Sequence, residues 1–401
     1  MAATASKTHA PRKNTAKRHA VSTLRRWIEM QEWKPGTPVP SVRDLSKKLG
    51  VSRTTAHQAM RSLQDAGLVR QDPMAGGYTV GPAGGGAASV MTRTVCILTE
   101  MDGARALSGM PGSSGWEVAV QIALLDRARQ TSLHPMLLHM DALHDADVAA
   151  LAVDRPRGLI VMDSAGQSQR GQRVIEQLHQ AGVPVVSYGT RDDVRGIDRV
   201  ASDHEVGSYE LTRFLISQGR KRILRLWMLA QPQHAQTPWL SQRNAGYERA
   251  CREAGLAVLP AVIPPMPPLG NWPQQRQEIF EALSRFVVGY LLEHLQGAQP
   301  VDAIMLASDG FVPPVIAACK RLGLTPHRDV AVVGYDNYWH DLPMPRGDDT
   351  PPLASIDKMH PKLGGELLDL LEARIAGRLH AGPHVRLVPP QLVVHAQPEN
   401  R

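Results

Sequence analysis

Residues Gly36–Arg70 read GTPVPSVRDLSKKLGVSRTTAHQAMRSLQDAGLVR. Val42, Leu45 and Leu49 recur three and four residues apart, which places them on one face of a short helix. Ser41 precedes it as an N-cap, and Asp44 stands three residues on, the spacing of a capping box. Gly50 follows as a stop. After Val51, Ser52 caps a second helix whose apolar positions Ala56, Ala59, Met60, Leu63 and Ala66 form another single stripe. Its other face carries Arg53, Thr54, His57, Gln58 and Arg61. One helix that braces and a second that presents donors and acceptors is the shape of a helix-turn-helix, whose second helix reads base edges in the major groove. Two amphipathic helices of an ordinary bundle would show the same periodicity.

The flanks argue for the first reading. Leu68-Val69-Arg70 and Gly77-Tyr78-Thr79-Val80 bracket a Gly/Pro turn, as a two-stranded wing would. Upstream, Val21, Leu24 and Ile28 predict a helix packed behind the pair, with Trp27 and Trp33 completing a small core. Residues 16–82 resemble the winged helix-turn-helix of the GntR family of bacterial transcription regulators. The matching words are Pro40-Ser41-Val42-Arg43-Asp44-Leu45, Leu49-Gly50-Val51-Ser52-Arg53-Thr54-Thr55 and Leu63-Gln64-Asp65-Ala66-Gly67-Leu68-Val69, in order and without a gap. The resemblance implies DNA contact by Arg43, Arg53, Thr54 and Thr55, with His57, Gln58 and Arg61 on the same face. Arg53 can reach guanine O6 and N7 bidentately. Thr54 and Thr55 lie at a helix N-terminus, where backbone N–H groups favour phosphate. Gly76 and Gly77 would let the wing backbone approach the minor groove. His57 stands where many relatives carry Arg, so the preferred bases are expected to differ.

Charge agrees with this placement. The 401 residues carry a formal net charge of +7. Residues 1–80 hold 14 Lys+Arg against 5 Asp+Glu, and the rest hold 31 against 33, so the positive charge is confined to the head. Phosphate neutralisation supplies most non-specific nucleic-acid affinity, and a basic head on a near-neutral body suits it. Residues 1–15 are polar, basic and without periodicity, and are expected to be a disordered tail. Gly81–Arg93 reads as a flexible linker, its core at 83–93, with a span of roughly 20 Å. Cys96, Cys251 and Cys319 are scattered and odd in number, as in a reducing cytosol. No apolar run approaches a membrane span, and the N-terminus lacks the apolar stretch of a secretory signal. A cytoplasmic protein without membrane contact is expected.

From residue 94 the pattern alternates between strand and helix. Strands are expected at Val95–Leu98, His134–His139, Gly158–Met162 and Val183–Ser187. Helices are expected near Trp116–Arg129, Leu143–Leu151 and Gln169–Gln180. A second series starts at Val200: helix Glu205–Ser217, strand Ile223–Trp227, helix Ser241–Ala254, short strand Val262-Ile263, helix Gln274–Leu295, strand Ala303–Ala307, helix Phe311–Leu322 and strand Val330–Val333. Strand Leu353–Ile356, helix Lys362–Ala376 and strands Val385–Leu387 and Leu392–Val394 end the chain. Unbroken apolar runs are those of parallel strands buried on both faces. The fold class is therefore α/β: a winged head, then two similar lobes of parallel sheet flanked by helices around a cleft. Lobe one is expected at about 94–198 and 357–380, and lobe two at 199–356 and 381–396.

This body resembles the effector domain of LacI/GalR regulators, itself similar to periplasmic sugar-binding proteins. The words that carry the resemblance are Gly182-Val183-Pro184-Val185-Val186, Val200-Ala201-Ser202-Asp203-His204-Glu205-Val206-Gly207, Phe214–Ile223, Arg243-Asn244-Ala245-Gly246-Tyr247, Val332-Val333-Gly334-Tyr335-Asp336 and Leu353-Ala354-Ser355-Ile356. The resemblance weakens over Asp102–Trp116. A polyol needs charged partners for adjacent hydroxyls and a flat apolar surface for its C–H faces. Ser308 and Asp309 follow one strand and Asp336 another, at the carboxyl crevice where open α/β sheets bind ligands. The resemblance implies effector contact by Arg243, on a helix capped by Ser241, and by Ser308, Asp309 and Asp336. Helix capping is the alternative for the Ser and Asp residues. Ser308 replaces the family's usual Asn. Trp116 and Trp239 are candidate platforms for a sugar ring, with core or dimer packing as the alternative. Trp339 faces the same rim, Trp272 suits packing, and Trp227 is expected in the core.

Enzyme chemistry finds little footing. His134, His139, Asp141 and His144 do not match a tight metal-ligand spacing, so no metal site is expected. There is no Gly-x-Ser-x-Gly, P-loop or Gly-x-Gly-x-x-Gly. No cofactor is called for. Some GntR-type heads are fused to a pyridoxal-phosphate aminotransferase-like body, which would need a Schiff-base lysine. Only Lys221, Lys320, Lys358 and Lys362 lie beyond residue 93, and none stands out. A solute receptor is a third class, disfavoured by the basic head. The expectation is a homodimeric repressor of double-stranded operator DNA with a near-palindromic site, controlled by a small-molecule effector, most simply a carbohydrate. A GntR-headed regulator with a non-sugar ligand, or with the enzyme-like body, is the alternative. In LacI relatives a short hinge helix precedes the sensor; Gly84–Ser89 is poorly suited to form one.

Overall fold

The computed structural model describes residues 11–29, 33–34, 36–65, 68–71, 77–80, 90–100, 115–166, 168–190, 196–229, 236–267, 272–339 and 350–395. The chain divides into two compact units, Met1–Val95 with Ala149–Arg157, and Cys96–Val148 with Gly158–Arg401. The Arg157 backbone N–H donates to Met91 O at 3.0 Å and Thr94 O at 2.8 Å, which ties 149–157 to the first unit. The division thus falls two residues beyond the expected start of the body.

In the first unit, α1 (Pro11–Glu29) precedes β1 (Pro38–Val39), α2 (Val42–Leu49), α3 (Arg53–Asp65), β2 (Val69–Gln71) and β3 (Tyr78–Val80). Residues 11–15 of the expected disordered tail are helical, because α1 starts at Pro11; the fixed φ of proline suits a first helical turn. Residues 1–10 lie outside the described residues. The wing has three strands, ordered β1-β3-β2, rather than the expected two. Gly36 N donates to Val80 O and Val80 N to Thr37 O, both at 2.9 Å, which stitches β1 onto β3. Leu24, Leu45, Ala56, Ala59, Met60, Leu63, Val69 and Val80 are buried together, with Trp27 and Trp33 packed against them. The two indole rings meet at 5.3 Å. Of the expected linker, 83–89 lies outside the described residues, and Val90–Arg93 forms a 3-10 turn.

The body begins with β4 (Thr94–Thr99). It continues through α4 (Gly115–Arg129), β5 (His134–His139), α5 (Asp145–Asp154), β6 (Gly158–Val161), α6 (Asp163–Gly166), α7 (Gln169–Gln180), β7 (Val185–Tyr188) and β8 (Asp198–Ser202). The second series is α8 (His204–Ser217), β9 (Ile223–Leu226), α9 (Pro238–Glu253), α10 (Trp272–Gln296), β10 (Ala303–Leu306), α11 (Val312–Arg321) and β11 (Ala331–Val333). β12 (Ala354–Asp357), α12 (His360–Ile375), β13 (Val385–Val388) and β14 (Gln391–Val394) complete it. A six-stranded sheet runs β13-β8-β7-β6-β4-β5, and a three-stranded parallel sheet runs β11-β10-β9. β6 and β10 are buried at every position, as strands covered on both faces must be.

Three expectations need correction. β13 was assigned with the second series, but it pairs in parallel with β8 of the six-stranded sheet. Residues 199–202 likewise stay with that sheet. Only β14 joins the second half, antiparallel to β12. The expected strand Val262-Ile263 shrinks to one bridge, Leu226 to Val262. Trp227 is core as expected, 1% exposed, its indole N–H donating to Asn244 Oδ1 at 3.0 Å.

Candidate functional sites

In the head, Ser41 caps α2 by accepting from Asp44 N at 3.2 Å, and its hydroxyl donates to Asp44 Oδ2 at 2.6 Å. Gly50 takes φ 64°, the left-handed turn that redirects the chain into α3. Ser52 Oγ accepts from Thr55 N at 3.1 Å and so caps α3. Ala56, Ala59, Met60 and Leu63 face the core. Arg53, Thr54, His57, Gln58 and Arg61 are exposed on the opposite face, and Arg43 is exposed on α2. Thr55 is half-buried, its hydroxyl 2.8 Å from Ser52 Oγ, so its oxygen serves the cap. Gly77 is exposed, and nothing stands within 4 Å of where a Cβ would project. Gly76 lies outside the described residues. The result is one continuous exposed polar face on α3, rigidly capped at its start.

In the body, the charged site is buried. Arg243 is 3% exposed, and α9, which carries it, begins a turn earlier than expected. Thr237 is the N-cap and Pro238 the first helical residue, so Ser241 lies inside the helix rather than capping it. Arg243 Nη1 donates to Ala307 O at 2.6 Å and Nε to His204 Nδ1 at 3.3 Å. Its guanidinium lies 3.4 Å from the Tyr335 ring centre and 4.5 Å from that of Trp239. Accepting at Nδ1 requires a neutral His204, and burial with the nearby Arg243 charge lowers its pKa well below the ordinary value.

Asp336 joins this cluster. Its Oδ1 is 2.9 Å from Lys358 Nζ and 3.9 Å from Arg243 Nη2. Burial alone would raise its pKa, but the Lys358 and Arg243 charges hold it below the usual carboxylate range. The backbone is strained at this point: Asp336 has φ 89°, Asn337 φ 55° and Met359, next to Lys358, φ 60°. The Lys358 ammonium also sits 4.0 Å from the Trp116 ring centre, and Trp116 packs on Tyr188 at 5.3 Å. Lys358 was passed over in the sequence. It is the one lysine of the four beyond residue 93 that joins this cluster; burial lowers its pKa, the Asp336 carboxylate opposes that shift and the nearby Arg243 charge adds to it.

Two expected contacts turn inward. Asp309 is fully buried; Oδ1 accepts from Ser355 Oγ at 2.7 Å and Oδ2 from Tyr338 N at 2.9 Å. Burial pushes its carboxyl up to about 8. Asp309 thus braces the 335–339 loop that presents Asp336. Ser308 Oγ lies 2.6 Å from Tyr338 Oη. Trp339 Nε1 donates to His395 Nδ1 at 3.3 Å, and the Trp272 side chain lies outside the described residues.

The six-stranded half contributes a group that no sequence word pointed to. Glu117, fully buried, accepts at Oε1 from Thr99 and Ser164 hydroxyls, both at 2.7 Å. Desolvation raises its carboxyl to about 7. The segment 101–114, where the resemblance weakened, lies outside the described residues.

Two family models match the chain. Residues 16–78 match bacterial regulatory proteins, gntR family, and residues 212–396 match the periplasmic binding protein-like domain. The chain joins a gntR-type helix-turn-helix to a periplasmic-binding-protein-like domain. It is 27% identical to the HTH-type transcriptional repressor CytR of Escherichia coli (strain K12) over 192 residues, 48% of this chain and 49% of that protein. The chain therefore spans about half the length of that repressor. Two solved structures share the fold. A regulatory protein of the LacI family from Chloroflexus aggregans has a TM-score of 0.57 at 20% identity, covering 76% of this chain and 98% of that one. The transcriptional regulator CelR–cellobiose complex has a TM-score of 0.53 at 20% identity, covering 89% and 99%.

Proposed function

We propose that this protein is a sequence-specific DNA-binding repressor whose operator affinity is set by a small molecule bound beside Arg243 and Asp336. The observation that carries this reading is the union in one chain of an exposed, capped recognition face on α3 with a buried charge cluster in the body. Arg53, Thr54, His57, Gln58 and Arg61 read bases or phosphates. Arg43 and Gly77 add contacts, and Gly76 is carried over with them. Arg243 and Asp336 bind effector, with Trp116 and Trp239 as aromatic walls and Ser308 at the margin. Asp309 serves as a brace. The protein acts in the cytoplasm as a homodimer without membrane contact, and its two heads read a near-palindromic site. A sugar-like effector is supported by the polar, aromatic-walled cluster and by the cellobiose complex of the structural neighbour.

The ligand acts through differential affinity. It shifts the DNA-bound population only as far as it prefers one body conformation, typically by ~1–3 kcal/mol. Footprinting of the full-length protein on DNA upstream of its own gene, backed by a genomic fragment library, tests the head. A near-palindromic protected site that Arg53→Ala abolishes is expected; a site bound equally by Arg53→Ala refutes the assignment.

A further inference from the structure

We infer that the effector is anionic, a polyhydroxylated molecule bearing a carboxylate or phosphate, and that Lys358 together with Arg243 receives its charge. This rests on the effector-sensor reading above and narrows it.

Two buried cations share one buried carboxylate oxygen. Asp336 Oδ1 is 2.9 Å from Lys358 Nζ and 3.9 Å from Arg243 Nη2, and the three side chains are each about 4–5% exposed. The other fully buried carboxyls nearby are already engaged. Asp309 accepts from Ser355 and Tyr338, and Glu117 from Thr99 and Ser164. Burial raises both carboxyls, to about 8 and about 7. His204 and His360 face the pair as neutral rings, both lowered by burial first. Asp163 contributes a further negative charge toward Lys358, from a half-buried position where water screens it.

An ammonium has three donors and a guanidinium five, with no acceptor on either. The Lys358 nitrogen has Asp336 on one side and the Trp116 face on another. Arg243 Nη2 faces the same oxygen at a distance beyond a hydrogen bond. Two buried cations thus face a single carboxylate here. A neutral sugar hydroxyl can accept from these donors but brings no charge, and leaves two cations to one carboxylate. A carboxylate or phosphate brings acceptors and a second negative charge to a cation pair that shares the one buried carboxylate of Asp336. The left-handed backbone at Asp336, Asn337 and Met359 fixes both members of the ion pair at this point.

The test is calorimetric titration of the full-length protein with matched pairs: D-galacturonate and D-galactose, D-gluconate and D-glucose, D-ribose 5-phosphate and D-ribose, with inorganic phosphate as a competitor. At least one anionic member is expected to bind tenfold or more tighter than its neutral partner. Phosphate should compete, and Lys358→Gln should erase most of the preference while its melting curve confirms folding. Should that variant not fold, the wild-type pairs decide alone. A neutral sugar that binds as well as its anionic counterpart overturns the inference and leaves the sensor reading standing. Binding of no member overturns the inference as well. If operator affinity also ignores every member, the sugar-like sensor falls with it.

Discussion

Gly246 sits one turn beyond Arg243 on α9, against the start of α8. A Cβ built there would lie 2.2 Å from Glu205 O and 2.8 Å from Tyr209 N, both backbone atoms of α8. Ordinary contact requires the helices to separate by about 1 Å. In an open helix, Gly→Ala stabilises by roughly 1 kcal/mol. Here the forced separation costs about 1–3 kcal/mol or more, because neither backbone can swing aside. Gly246→Ala should therefore be destabilising on balance. Its effect should reach the site, since α8 carries His204, which holds Arg243 at 3.3 Å. Gly289 on α10 is the control: it is exposed and nothing lies within 4 Å of its added Cβ. Urea denaturation of both variants is the assay. Gly289→Ala should raise the midpoint and Gly246→Ala should lower it, with weaker effector binding in Gly246→Ala. A midpoint raised equally by both substitutions would refute the packing argument.

Three further outcomes are expected. Ser41→Ala should lower the head's stability by about 1 kcal/mol, since it removes an N-cap and half of a capping box; thermal unfolding followed by near-UV tryptophan signals from Trp27 and Trp33 checks it. Arg243→Lys should weaken effector binding about 10- to 150-fold, because a buried charged hydrogen bond is worth ~1.5–3 kcal/mol and an ammonium does not reproduce the guanidinium fork; calorimetry against the best-binding effector measures it. Stability should fall as pH rises from 6.5 to 8. Asp309 and Glu117 have folded pKa values raised to about 8 and about 7, so their contribution is lost as pH climbs toward those values. His360, lowered to about 4, gives the opposite trend only up to its unfolded value of 6.5. The loss by pH 8 should be up to about 2 kcal/mol, read from melting curves across a pH series.

The head was largely legible because its signals are local. Ser41, Asp44, Gly50 and Ser52 act within four residues, and the stripes bury Leu45, Ala56, Ala59, Met60 and Leu63, with Val42 and Leu49 partly buried against them; Ala66 lies outside the described residues. β1 was missed because two residues, one of them proline, carry no strand pattern of their own; only pairing with β3 makes them a strand. The body's parallel strands showed as apolar runs, but which sheet each joins is a long-range fact. β13 and β14 are three residues apart and belong to different sheets. At the site, Arg243 and Asp336 were visible in short words after strands or on a helix. Lys358 was not, although it follows the apolar strand of β12 just as Asp336 follows that of β11. A lone lysine reads as solvent-exposed until tertiary structure buries it against a carboxylate. Asp309 shows the converse, since its position after β10 suited both a ligand contact and a brace, and only the hydrogen bonds from Ser355 and Tyr338 separate the two. The start of α9 was misread at Ser241 because Thr237-Pro238, an N-cap followed by proline at the first helical position, is the stronger signal.

The most direct test of the account joins the two units in one readout. Fluorescence anisotropy of the full-length protein on its footprinted DNA, at stated salt, would be measured with and without the effector that calorimetry identifies, for the wild type and for Arg243→Lys. The account predicts a 5- to 150-fold change in operator affinity on effector addition in the wild type, the range typical of site-to-site coupling, and a much smaller change in Arg243→Lys at the same effector concentration. Operator affinity that saturating effector leaves unchanged in the wild type would contradict it.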